Sequence, residues 1–304
     1  LIGFIIINIV ASQCFYNLTD YQNSKQYQKD SLFATAPINI DMLFFGSSRT
    51  ISAIDSNVFK NEFNYAIGGD DYWRIYYRLK SILADGTKNI NHIVLPAEIG
   101  TSYFDDDPLK NSAIYWRDKV NFKEMISITG KHVEYSTIYT SINLFPYYQY
   151  ASLKLQQLDK EKIQLNRQQL DFNQNSNFSE LDINLKEASL DLELKSIANR
   201  VEDYQIGAKF LTKTIDLCKT NNLNIVFVHY PTVKEYRKRL TKLALSQSGK
   251  PDSSDSIIAS TTYRSISFNS FFDANEHLFS DPHHLNLEGQ HIFSKMLERK
   301  LNNN

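Results

Sequence analysis

Short apolar runs alternate with turn residues and helix-period segments along most of the chain. "INIDMLFF" (38–45) stops at Gly46, "FNYAIGG" covers 63–69, and "NHIVLPAEI" covers 91–99. Asp70 to Leu83 lies between the second and third runs and carries a helical pattern, so the three runs read as consecutive βα units. The rhythm returns with an amphipathic helix over about 201–219, the strand "NIVFVHYP", a basic helix from Lys234 to about Leu245, the run "SISFNSFF" and a final helix over about Leu287 to Leu301. Strands alternating with helices in this way predict an α/β domain built on a parallel sheet.

Two stretches break the pattern. Residues 17–36 are polar and read as a linker behind the apolar opening "LIGFIIINIVASQCF", which has the character of a signal remnant or membrane anchor but is short for a full span. A first buried helix or strand is the alternative for that run. Residues 105 to about 200 are long, polar and without a clear strand, and read as a mainly helical insertion with an asparagine-rich middle, suited to a lid or docking surface. The expected organisation is therefore an anchor plus linker over 1–36 and an α/β domain over 37–304, interrupted at about 105–200.

Composition narrows the function classes. The 33 basic and 34 acidic residues nearly cancel, so no global field recruits nucleic acid or an anionic surface. Cys14 and Cys218 are the only cysteines, which excludes a disulfide framework and CxxC-type metal spacing. No phosphate-binding loop, dinucleotide fingerprint or Gly-x-Ser-x-Gly elbow is present, and no cofactor or metal is expected.

Candidate chemistry sits at two places far apart in sequence. In an open parallel sheet, ligands gather beyond the carboxyl ends of the strands, where Ser47 and Ser48 follow the first run. A serine there is either a helix cap or a nucleophile. In "FSDPHHLNLEGQHIFSKML" (279–297), Asp281 and His284 are three apart in a loop leading into the last helix. That spacing lets the carboxylate reach His284 Nδ1 and leaves Nε2 free to take a proton from a serine. Pro282 stiffens the loop, and His283 is expected to point elsewhere. His92, His132, His229, His277 and His291 read as structural or exposed.

"FFGSSRT" and "SDPHHLNLEGQ" together resemble the first and last blocks of the SGNH, or GDSL-like, hydrolase and acyltransferase superfamily. The resemblance covers about 38–100 and 201–301. It implies a three-layer αβα, flavodoxin-like open sheet, with Ser48 as nucleophile, His284 as base and Asp281 as its orienter. "NYAIGGDDYW" is similar to the second block, so the N–H groups of Ser48 and of Gly68 or Gly69 would form the oxyanion hole. Two positions depart from the family: Ser47 stands where aspartate is usual, and "LPAEIGTSYF" lacks the third-block asparagine. Glu98 lies near that place; it and Arg49 either shape the site through a mutual contact or are two unrelated polar residues.

These features resemble the branch that includes cell-envelope polysaccharide O-acetyltransferases. The resemblance implies serine-dependent acyl transfer on a carbohydrate or acyl-ester substrate, an extracytoplasmic location with a membrane tether, and a membrane partner delivering acyl groups. The alternative is a catalytically degenerate domain that binds glycans or assembles with envelope proteins.

Overall fold

Asn39–Phe44 forms the first strand (β1) at the middle of the sheet, and its Leu43 and Phe44 are fully buried. In the structure, a computed structural model, residues 3, 10, 25–97, 113–116, 119–131, 136, 175–198, 204–248 and 253–302 are described. The chain groups into two units, one of 1–35 with 105–171 and one of 36–104 with 172–304. Residues 172–200, read from the sequence as insertion, thus cluster with the α/β unit.

In the α/β unit, β1 leads to α1 (Ser48–Ala53), β2 (Glu62–Asn64), α2 (Tyr72–Asp85) and β3 (Asn89–Pro96). Then follow α3 (Ile183–Ala198), α4 (Tyr204–Thr220), β4 (Asn224–His229), α5 (Lys234–Ser248), α6 (Ser253–Ala259), β5 (Arg264–Ser267), α7 (Asn269–Phe272) and α8 (Leu287–Asn302). Among the described residues the sheet has five strands, all parallel, in the order β2-β1-β3-β4-β5. This is the three-layer αβα, flavodoxin-like arrangement.

Both faces of the sheet are covered, which explains the nearly continuous apolar runs. On one face Phe44, Val94, Val226 and Ile266 pack with Tyr236 and Leu240 of α5 and Phe293 and Leu297 of α8. Burying each of the large apolar side chains contributes about 1.5–3 kcal/mol. Tyr76 and Tyr77 of α2 meet Phe210 of α4 at ring separations of 5.6 and 5.7 Å. The chain reverses its direction of travel across the sheet between β1 and β3, and the carboxyl ends of strands at such a switch point are where ligands of open parallel sheets gather.

Helix α8 is tied to α1 across more than 200 residues of sequence. Ser294 Oγ donates to Ala53 O at 2.9 Å and accepts from Asp55 N at 2.8 Å, and Gln290 Nε2 lies 3.1 Å from the Ile51 and Ile54 carbonyls. The start of α8 runs close beneath the backbone at Leu278, where a Cβ on Gly289 would stand 2.1 Å from Leu278 O. Gly289→Ala is therefore expected to lower stability by about 1–3 kcal/mol through overpacking, read as a fall in the denaturant midpoint.

The other unit contains the helices Lys25–Thr35, Ala113–Trp116 and Phe122–Thr129. Where a polar linker was expected over 17–36, Lys25–Thr35 is helical and buries Phe33; the segment lacks glycine and proline and holds several good helix formers. Tyr115 donates to Asp30 at 3.0 Å, and Lys119 pairs with the same carboxylate at 3.0 Å. Apart from residues 3 and 10, the apolar opening and Cys14 lie outside the described residues, as does most of the asparagine-rich middle. Among the described residues no helix is long and apolar enough to cross a membrane.

Candidate active site

The turn after β1 carries Gly46 at φ 149°, and a Cβ there would lie 2.0 Å from Thr50 Oγ1, so the backbone can pass over α1 only without a side chain. Ser47 takes the N-cap position of α1 but makes no side-chain cap bond. The hydroxyl of Ser48, first residue of the helix, lies instead 2.8 Å from His284 Nε2. The two serines are thereby distinguished: one occupies the cap position by backbone alone, and the other faces an imidazole.

His284 stands in a short loop that the chain closes on itself. Ser280 N donates to His284 O at 3.0 Å, Phe279 and Leu285 form an antiparallel bridge, and Val233 N holds Pro282 O at 2.9 Å. Asn286 locks the base of the loop, donating from Nδ2 to His277 O at 2.7 Å and accepting from Gly289 N at 2.9 Å. Within it, Asp281 Oδ1 accepts from the backbone N–H groups of His283 (2.9 Å) and His284 (2.8 Å), and Oδ2 lies 2.6 Å from His284 Nδ1. With its proton on Nδ1 facing the carboxylate, His284 presents the Nε2 lone pair to the Ser48 hydroxyl. The structure brings Ser48, Asp281 and His284 into one hydrogen-bonded chain.

Burial would raise the Asp281 carboxyl, but His283, His284 and the backbone N–H bond outweigh it and hold the group at about 2. A carboxyl lowered on folding stabilises the protein above its ordinary value near 3.8, and that contribution is lost as pH falls through about 2. It amounts to about 2 kcal/mol, so Asp281→Asn is expected to flatten the acid limb of the stability curve below pH ~4. Chemical denaturation across that pH range checks it.

The second-block turn is fastened beside the first. Ile67 N donates to Gly46 O at 3.1 Å and Asp70 N to Ile67 O at 3.1 Å, with Gly69 in the left-handed region at φ 79°. Arg74 donates to Gly69 O, Arg78 donates to Tyr65 O at 3.1 Å, and Arg78 pairs with the buried Asp70. Gly68 and Gly69 are exposed, and their N–H groups are bonded to nothing else among the described residues.

Arg49 is buried, and its charge acts on His283. Glu98 and His132 lie outside the described residues, and with Glu98 so does the choice between an Arg49–Glu98 contact and two unrelated polar residues. His291 pairs with Asp55 at 2.9 Å, and His92 Nδ1 lies 3.2 Å from Asp41 O.

His283 departs from the expectation that it points elsewhere. Its ring lies 4.0 Å from that of His284, its Nδ1 is 3.6 Å from Asp281 Oδ1, and its Nε2 is 3.8 Å from Glu193 of α3. Tyr236 of α5 stacks on it at 5.5 Å. Burial, aided by the charges of His284 and Arg49 and opposed by Asp281, drives its pKa down to about 3, so the ring is neutral. Sequence reasoning missed Glu193 and Tyr236, which come from helices that carry no motif.

A cavity of about 710 Å³ opens at the amino ends of the strands, lined by Asp41, His92, Asn224, Arg264 and Glu298 among others. It lies at the opposite end of the sheet from the Ser48 turn. No protein-family model matches the chain, and no curated protein matches its sequence.

Proposed function

We propose that the chain is a serine-dependent acyl-transfer enzyme of the SGNH type, working through an acyl-enzyme on Ser48. The observation that carries this reading is the continuous chain from Asp281 Oδ2 through His284 to Ser48 Oγ, at 2.6 and 2.8 Å, at the switch point of an open parallel sheet. His284 Nε2 takes the hydroxyl proton as Ser48 Oγ attacks an ester carbonyl, and returns it to the departing alkoxide. Asp281 keeps the imidazole in its Nδ1–H form and stabilises the imidazolium. The N–H groups of Ser48 and of Gly68 or Gly69 receive the negative charge on the carbonyl oxygen, each worth about 3 kcal/mol in the transition state. A second hydroxyl, from sugar or water, then releases the acyl group by the same proton path in reverse.

The substrate proposed is an O-acetyl group on, or destined for, a cell-envelope polysaccharide. A location in the envelope rests on the apolar opening run, and the carbohydrate acceptor rests on the resemblance of the first and last blocks. Acetate release with and without oligosaccharide separates the two directions: an acceptor-dependent fall in free acetate marks a transferase, and unchanged release marks an esterase. Asp281→Asn is expected to lower kcat by about 10⁴-fold, because the imidazole then loses its preferred tautomer. Steady-state hydrolysis of an activated acetyl ester measures it.

A second reading draws on the third strand, which ends without the family's asparagine. There the domain binds glycans and performs no chemistry. It predicts glycan binding together with no labelling by a serine-reactive fluorophosphonate.

A further inference from the structure

His283 is used by none of the steps above, yet its ring is packed against Tyr236 and His284 and faces Glu193. Its Nδ1 is buried and has no hydrogen-bond partner among the described residues. Asp281 Oδ1 lies 3.6 Å from it, beyond hydrogen-bond length. On the far side of the ring, the Glu193 carboxylate stands 3.8 Å from Nε2 and favours a proton there. The Nδ1 lone pair is then turned toward Asp281 Oδ1, which already accepts from the His283 and His284 backbone N–H groups, and a cation between the two would give the Nδ1 lone pair the partner it lacks. Ligand atoms of Asp281, His283 and His284 all lie within 4.8 Å of one another.

We propose that Asp281, His283 and His284 form a binding site for a divalent transition metal of the zinc type, whose occupation switches off the Ser48–His284 pair. Two imidazoles and a carboxylate suit Zn²⁺, with a water completing four-coordination, and Glu193, 3.8 Å from His283 Nε2, is placed to serve as the outer carboxylate that zinc-bound histidines generally have once it closes to hydrogen-bond length. Metal–ligand distances of about 2.0–2.1 Å need donor separations a little above 3 Å; Asp281 Oδ2 now lies 2.6 Å from His284 Nδ1 and Oδ1 lies 3.6 Å from His283 Nδ1, so the carboxylate must turn to bring one oxygen within reach of a cation shared with both rings. The positive charge of Arg49 opposes a cation here, and the negative charges of Asp281 and Glu193 favour one.

The exclusion follows from proton balance. In the active pair His284 carries its single proton on Nδ1, and Nε2 accepts from Ser48. A metal on Nδ1 requires that proton to move to Nε2, with no net release to solvent. Nε2–H then donates to Ser48 Oγ, and the lone pair that would take the hydroxyl proton is gone. The inhibitory consequence rests on the acyl-transfer reading; the binding site itself does not.

The test is calorimetric titration of the full chain with ZnCl₂ in a non-coordinating buffer, without substrate. One zinc per chain is expected, with affinity at least about tenfold weaker in His283→Gln and roughly tenfold weaker in Glu193→Gln, which removes only the outer partner. Circular dichroism of each variant verifies folding, and Glu193→Gln, altered at the rim, carries the test should His283→Gln fail to fold. Hydrolysis of an activated acetyl ester is then expected to fall with zinc at the occupancy measured by titration and to recover with EDTA. No stoichiometric binding, or binding unchanged in both variants, overturns the site. Site-dependent zinc binding in a protein that fluorophosphonate does not label upholds the site and rejects the enzymatic reading.

Discussion

Replacing Ser48 by alanine is expected to lower acetyl-ester turnover by about 10⁴- to 10⁶-fold while leaving the fold intact. In the acyl-transfer reading the hydroxyl oxygen is the bond-forming atom, and its removal leaves His284 with nothing to activate except water, so only binding and the oxyanion donors remain to assist. The residue is half-buried, and the α1–α8 ties run through Ile51, Ala53, Ile54 and Asp55, not through its side chain. The loss should therefore appear in kcat and not in the melting temperature. Ser47→Ala provides the control: its hydroxyl makes no cap bond, so most of the turnover should survive. An equal loss in both variants would mean that the turn, and not one hydroxyl, matters.

Arg78→Met is expected to cost the largest amount of stability of any single change considered. The Arg78 side chain is 0% exposed and its partner Asp70 4%, so removing the guanidinium leaves a buried carboxylate without its counter-charge. Breaking such a pair costs about 3–5 kcal/mol. For an α/β unit of this size that corresponds to a fall in Tm of roughly 10 °C. Two-state analysis of urea unfolding should show the deficit, and the double variant Arg78→Met with Asp70→Leu should recover much of it, because the stranded charge is removed as well. Since Arg78 also holds Tyr65 O, its loss loosens the turn that carries Gly68 and Gly69.

Much of this architecture is readable from local pattern. The strands at 39–44 and 224–229 lie within the apolar runs, and 89–96 overlaps one from 91 onward, because a sheet covered on both faces demands continuous apolar sequence. Ser48, Asp281 and His284 were findable for a similar reason: strand-to-helix turns and pre-helix loops put polar groups at one sheet edge, and Asp-x-x-His fits one loop. The surroundings of His283 were not readable. Val233 pins the Pro282 carbonyl and Tyr236 offers a ring to stack on, and both come from a distant stretch of sequence. The helix Lys25–Thr35 escaped notice because it buries one side chain, Phe33, and so has no apolar stripe. Phe178, almost fully buried in the α/β core, lies in a polar stretch whose composition resembles an insertion; its N–H bond to Phe279 O at 2.8 Å is a tertiary feature that no local pattern announces.

Acid lability gives a further view of the same loop. The His283 pKa, about 3, is lowered from its ordinary value near 6.5, so the unfolded chain binds a proton that the folded chain refuses, and stability declines as pH drops between those limits. Asp281 adds its own decline only below about pH 4.

The central claim is that one hydroxyl, activated by one imidazole, forms a covalent bond to an acyl group. Intact-mass and peptide mass spectrometry after incubation with an activated acetyl ester tests it most directly. The account predicts an acetyl adduct on the peptide containing Ser48, absent in Ser48→Ala, retained in Ser47→Ala and slowed in Asp281→Asn. An adduct on Ser47 instead, or none on the folded wild-type protein, would contradict it.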